Sequence, residues 1–254
     1  MLDLDLPASI WLAVLAITLL AGFVKGAVGF AMPMVMISGI GSLVAPELAL
    51  AALILPTLIA NTAQALRGGV DAAVAAARAH WPYVAIVAVF IVFSAQLVNL
   101  LPARVLFLAI GVPVTLFAVL QLGGRRIRLS GHHQTALSVG LGIVAGLIGG
   151  VSGVWGPPTV IYLTSLDTPK DEQLRVQGIV YGIGAVMLTL AHIGSGVLNA
   201  TTLPLSALLV VPAMIGMRIG MGVSGRMDQN RFRQATLAVL VIAGLNLVRR
   251  GLMG

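Results

Sequence analysis

A lysine interrupts an apolar stretch at Ala21-Gly22-Phe23-Val24-Lys25-Gly26-Ala27-Val28-Gly29. It follows about 16 mostly apolar residues, so neither face of a bilayer is within easy reach of its side chain. An ammonium group at the centre of a membrane helix costs about 2.5–3.5 kcal/mol on insertion scales, which makes such a residue functional by default. Lys25 would supply a positive centre for an anion or, stripped of water, exchange a proton. The plain alternative is a charge at a shallow bend near the headgroups. Gly26 and Gly29 add backbone N–H groups that no side chain covers, and a helix starting there would add a partial positive charge. Small residues four apart, such as Gly22 and Gly26, equally serve close helix packing.

Other polar groups lie in apolar surroundings. Asn61, Thr62 and Gln64 fall deep in a second stretch, where they would offer hydrogen bonds to a solute or to a neighbouring helix. Gly146, Gly149, Gly150 and Gly153 form a further cluster with Ser152, Trp155 and Thr159 close by, so Gly150, Ser152, Gly153, Trp155 and Thr159 are candidate ligands carrying hydroxyls in place of charge. His192 is the residue suited to proton coupling, or else a neutral histidine bonded to a neighbouring helix. Glu47, Arg175 and Arg218 fall near segment ends, within reach of the interface.

These residues need elements to hold them, and composition names the solvent. Of 254 residues 59% are hydrophobic and 9% charged, too few charges to cover a soluble surface. Apolar segments span 9–38, 45–66, 82–101 and 105–122, then 135–166, 174–200, 203–219 and 235–248. Lipid offers no hydrogen bonds to a backbone, so helices are expected throughout.

The two sets read as copies of one unit. The shift that lays Ala21, Gly22, Gly26 and Gly29 on Ala145, Gly146, Gly150 and Gly153 also lays Pro33 on Pro157 and Ile37 on Ile161. Repeats 1–124 and 135–254 are joined by a basic linker, 125–134. In each copy clustered glycine followed by proline breaks a long apolar run. The basic loops share one side of the membrane only if both broken runs are re-entrant hairpins, leaving three crossings per copy. An odd number of crossings inverts the second copy. The expected fold is an all-α polytopic membrane protein of two inverted repeats, each a broken re-entrant helix pair plus three transmembrane helices. Arg249 and Arg250 then face outward, against the charge rule.

Fifteen Lys and Arg against eight Asp and Glu give a net charge of +7. Loop arginines that set topology and meet membrane lipid account for it without nucleic acid as a partner. The absence of cysteine excludes disulfides and thiolate metal sites. Asp3 and Asp5 precede the first apolar run without a basic residue, so that run is expected to stay as a helix. No Walker sequence is present, so no nucleotide is expected, nor is any other cofactor or metal, and transport would be driven by a gradient or by a separate energising subunit.

Together the paired glycine elbows, the Arg67-Gly68-Gly69-Val70-Asp71 loop and the duplicated four-segment plan resemble the TauE/SafE sulfite exporter family over nearly the whole chain. That resemblance implies a secondary transporter of small sulfur-containing anions or organosulfonates, such as sulfite, sulfoacetate or a related carboxylate, in a bacterial-type inner membrane. Its elbow positions are Gly22, Gly26, Gly29 and Pro33, then Gly146, Gly150, Gly153 and Pro157. Intramembrane positive charge with few buried carboxylates suits anions without reference to sulfur. Two rivals remain. An anion channel would use the same charge. Gly150-Val151-Ser152-Gly153 also resembles the serine motif of rhomboid intramembrane proteases, with His192 as base, although the duplication explains its glycines without catalysis.

Overall fold

The computed structural model describes residues 7–95, 103–124, 132–152 and 155–253. Asp3, Asp5, Gly153 and the linker arginines Arg125, Arg126 and Arg128 lie outside them. Among the described residues there are eleven helices and no strand. They are α1 (Ala8–Val28), α2 (Met32–Ile40), α3 (Pro46–Ala65), α4 (Val70–Ala79), α5 (Trp81–Ala95), α6 (Ala103–Leu122), α7 (His132–Ser152), α8 (Gly156–Ser165), α9 (Lys170–Gly194), α10 (Leu203–Arg226) and α11 (Gln229–Met253). Within the described residues, α1, α3, α9, α10 and α11 are long and apolar enough to cross a bilayer, and α4 with α5 forms a pair bent by 85°. The fold is all-α and membrane-spanning, as composition requires.

Some helix starts recur at the spacing of the repeated glycine and proline pattern. The shift that brings Pro33 onto Pro157 relates two further pairs of helix starts. It brings Met32 of α2 onto Gly156 of α8, and Pro46 of α3 onto Lys170 of α9.

Both long glycine-containing runs are broken, but the first break lies later than the glycine cluster suggests. Gly22, Lys25 and Gly26 all belong to α1. The chain leaves the helix at Gly29, with φ 89°, and Ala31 also lies in the left-handed region, with φ 73°. Gly29 N–H bonds the Lys25 carbonyl at 2.7 Å, which closes the last turn of α1. Pro33 sits in the first turn of α2, where a missing N–H breaks no helix hydrogen bond. In the second copy α7 runs to Ser152, and α8 opens with Gly156, Pro157 and Pro158. The segment after Arg67, read as loop, contains the alanine-rich helix α4.

Two compact units are distinguished, each drawing helices from both sequence copies. In the unit of Met1–Gln64 and Ala185–Arg226, α1 lies directly on α10. A Cβ at Gly22 would overlap the Ala213 carbonyl, and one at Gly26 the Met217 carbonyl. On the facing helix, a Cβ at Gly216 or Gly220 would overlap the carbonyls of Leu19 and Phe23. Lipid gives helices no hydrophobic reason to associate, so this backbone-to-backbone approach and its dispersion energy hold the pair together. Beside it Met32, Met36 and Ile40 of α2 pack with Leu53 of α3 and Leu209 of α10 in one core.

The unit of Ala65–Gly184 and Met227–Gly254 uses the same device. Here α7 packs on α5, with Gly146 against the Val87 carbonyl and Phe90, and Ser94 Oγ donates to the Gly146 carbonyl at 3.0 Å. Gly111 of α6 likewise meets Gly244 of α11. The opening helix of each copy therefore packs on a helix of the other copy, α1 on α10 and α7 on α5.

Candidate functional site

Lys25 sits in the last turn of α1, and only 2% of it is exposed. The spacing of Thr57, Asn61 and Gln64 puts all three on one face of α3, and all three are buried. That face receives the lysine. Lys25 Nζ donates to Asn61 Oδ1 at 2.6 Å and reaches the Gly29 carbonyl at 3.5 Å. Gln64 Nε2 donates to the same Gly29 carbonyl at 3.1 Å. Four residues singled out from sequence, Lys25, Gly29, Asn61 and Gln64, thus meet at the first break. The oxygens of Asn61 and Gly29 are neutral dipoles, which hold an ammonium in place without cancelling its charge.

Gly26 has another role. Its bare Cα faces the Met217 carbonyl of α10, and its N–H belongs to α1, so it serves helix packing and not an uncovered cradle. Gly22 does the same against Ala213. Thr62 lies on the exposed side of α3 and donates back to the Leu58 carbonyl at 2.9 Å. Thr57 completes the polar face and was passed over in the sequence, where a threonine in an apolar helix is unremarked.

At the second break Trp155 precedes the first turn of α8 and is buried. Its ring lies against Gly184 of α9, and Gly149 of α7 meets the same side chain; a Cβ at either glycine would stand about 3.0 Å from it. Gly149, which replaces the lysine in this copy, therefore makes room for Trp155. Thr159 Oγ1 donates to the Trp155 carbonyl at 3.0 Å and accepts from Tyr83 OH at 3.0 Å. Tyr181 OH donates to the Gly156 carbonyl at 3.1 Å. Gly150 and Ser152 belong to the end of α7, but the side chain of Ser152, like the whole of Gly153, lies outside the described residues.

His192 occupies the last turn of α9, half-buried, with Nδ1 3.4 Å from Ser195 Oγ. A second histidine escaped the sequence reading because its chain neighbours resemble a loop. His80, at the corner between α4 and α5, has Tyr162 OH 3.0 Å from Nδ1 and Glu172 Oε1 3.0 Å from Nε2. The signal that could have found this cluster is the set of three tyrosines, Tyr83, Tyr162 and Tyr181, each placed in an apolar segment where a phenol needs a partner. Among the described residues no group of His, Asp or Glu has the arrangement of a metal site.

A family model described as Sulfite exporter TauE/SafE matches residues 14–247. The chain belongs to the TauE/SafE family. No curated protein and no solved structure matched it. TauE/SafE proteins are transporters, so the resemblance of Gly150-Val151-Ser152-Gly153 to a protease motif carries no catalytic meaning here. With five apolar helices of spanning length among the described residues, this TauE/SafE protein is a multi-pass integral membrane protein.

Proposed function

We propose that the chain is a secondary transporter of a small sulfur-containing anion, such as sulfite or an organosulfonate, working by alternating access in a bacterial-type inner membrane. One observation carries the reading. The Lys25 ammonium is withdrawn from lipid and held at 2.6 Å by a neutral amide oxygen, beside the break between α1 and α2. A positive charge fixed by dipoles keeps its attraction for an anion, and a low-dielectric surrounding strengthens it. Asn61 and Gln64 orient the charge, and the start of α2 adds a weaker positive end. The second break carries its own polar groups without charge, in Thr159, Trp155 and the Gly150-Val151-Ser152-Gly153 stretch. Inverted-topology repeats with re-entrant α1–α2 and α7–α8 pairs are part of the same proposal, supported by the duplicated glycine and proline pattern and by the matched helix starts.

The test is counterflow in proteoliposomes with labelled sulfite and labelled sulfoacetate. A carrier accelerates uptake when unlabelled anion is present on the opposite side, and a pore does not. The parent protein is expected to show this acceleration, and Lys25→Ala to lose it while inserting and folding near normally. Unsaturable flux without acceleration would replace the carrier by a channel. Parent-like counterflow in Lys25→Ala would remove the anion site from this break.

A further inference from the structure

Outside the lysine cluster, the richest set of chemically active side chains is gathered around His80. Glu172, about a third exposed, stands at one side of the imidazole and Tyr162 at the other, each at 3.0 Å. His80 itself is 8% exposed. Tyr162 is stacked on Tyr83, with ring centroids 3.9 Å apart and planes within 4°. Tyr83 OH reaches Thr159, whose own hydroxyl is bonded to the Trp155 carbonyl. Tyr162 is also hydrogen-bonded by Ser138 of α7. A partly exposed acid, a buried imidazole and a buried phenol thus lie in sequence, and the phenol stacks on the tyrosine that bonds the first turn of α8.

A cluster that served only to pin the corner of α4 and α5 would not need a titratable group at every position. Glu and His bridging water to the interior of a membrane protein is the composition of a proton path. We infer that His80 is a proton-carrying residue of this transporter, loaded through Glu172 and reporting its charge to the second break through Tyr162. The inference rests on the carrier reading above. His192, at the end of α9, has a serine hydroxyl as its neighbour and, among the described residues, no acid in the arrangement shown for His80.

The step is a reversible uptake of one proton. In the neutral imidazole one ring nitrogen donates and the other accepts, so with the hydrogen on Nε2 directed at Glu172, Nδ1 accepts from Tyr162 OH. Once Glu172 has taken up a proton, the neutral ring in its Nδ1–H tautomer presents a bare Nε2 that accepts the carboxyl proton, so Glu172 returns to carboxylate and both ring nitrogens donate. Tyr162 must then accept from Nδ1 and turn its own hydrogen elsewhere, towards Ser138. Release returns the same proton and the same hydrogen bond. Protonation is thereby read as a reversal of one hydrogen bond to α8, the helix that begins at the second break.

The groups around the imidazole agree with such a role. From α9 come Glu172, Asp171, which pairs with Arg67 at 3.7 Å, and Arg175, which lies beside Gly68. From α8 comes Tyr162, from α5 Tyr83, and α4 carries Asp71 and Arg78. Glu172 is the carboxylate in contact with the ring, so a charged imidazole has a counter-ion in place.

The experiment separates two modes of one reconstituted protein. Exchange of labelled sulfoacetate at equal pH on both sides needs no net proton movement, whereas accumulation driven by an imposed pH gradient does. Sulfoacetate keeps its charge across the neutral range, so its own titration does not contribute. His80→Gln is expected to retain exchange within about threefold and to lose gradient-driven accumulation by at least tenfold. Glu172→Gln, which leaves the imidazole in place, is expected to show the same split. Accumulation that survives in both variants overturns the inference, as does parallel loss of exchange and accumulation, which marks a structural pin. A parent that exchanges but does not respond to the gradient overturns it alone. A parent that fails to exchange either sulfite or sulfoacetate overturns the carrier reading and this inference with it.

Discussion

Gln64 Nε2 donates to the Gly29 carbonyl at 3.1 Å, so the residue at which α1 ends is gripped by a side chain of α3. The Lys25 ammonium approaches the same oxygen. The break and the charge are therefore one construction, because the carbonyl released where the helix stops becomes an acceptor for the groups that fix the lysine.

Asn61→Asp is expected to depress anion transport at least tenfold with little loss of stability. It would set a carboxylate against the ammonium at the present 2.6 Å contact, replacing a dipole that preserves the charge by an anion that neutralises it. Initial rates of labelled sulfite or sulfoacetate uptake, paired with thermal unfolding in detergent, check both halves.

Gly29→Ala is expected to destabilise the protein by about 1–2 kcal/mol, since φ 89° suits glycine and strains any residue with a Cβ. Ala31→Gly acts in the opposite sense. Ala31 already bears that strain at φ 73°, and glycine removes it while adding freedom to the unfolded chain, so the change should be neutral or mildly stabilising. Thermal midpoints should fall for the first variant and hold or rise for the second.

Gly26→Ala and Gly220→Ala are each expected to cost about 1–3 kcal/mol, because the new methyl meets a backbone carbonyl that cannot step aside. Gly222→Ala on the same α10 meets open space and should be neutral or stabilising by up to about 1 kcal/mol through helix propensity. Equal effects at Gly220 and Gly222, measured by thermal unfolding, would contradict the close approach of α1 and α10.

Single cysteines at Gly41 and Pro169 test the inverted repeats, and the sequence has no native cysteine to remove first. Membrane-impermeant labelling should reach the two positions from opposite sides. Labelling of both from one side would reject inversion.

Much of the candidate site was legible because charge and amide groups are conspicuous in apolar sequence. Lys25, Asn61 and Gln64 could be singled out on that ground alone, and the structure joins them. The duplication is a reading of Gly22, Gly26, Gly29 and Pro33 and their counterparts, and the starts of α2 and α8 and of α3 and α9 keep the same spacing. The break was read too early, since glycine weakens an isolated helix but Gly22 and Gly26 are compensated by their contact with α10. Helix α4 was hidden between charged residues and too short to span, although Ala72, Ala73, Ala75, Ala76 and Ala77 favour a helix. His80 gave no signal, because the residues that define its role, Tyr162 and Glu172, are distant in the chain.

Where α1 meets α10, glycine Cα atoms rest on the opposite backbone with no side chain between them. A gap there would have no rotamer to fill it, so the two helices behave as one stiff plank. Any rearrangement that lets a solute pass must swing that plank whole, or bend the chain at Gly29 and Ala31, where the backbone already departs from the helix.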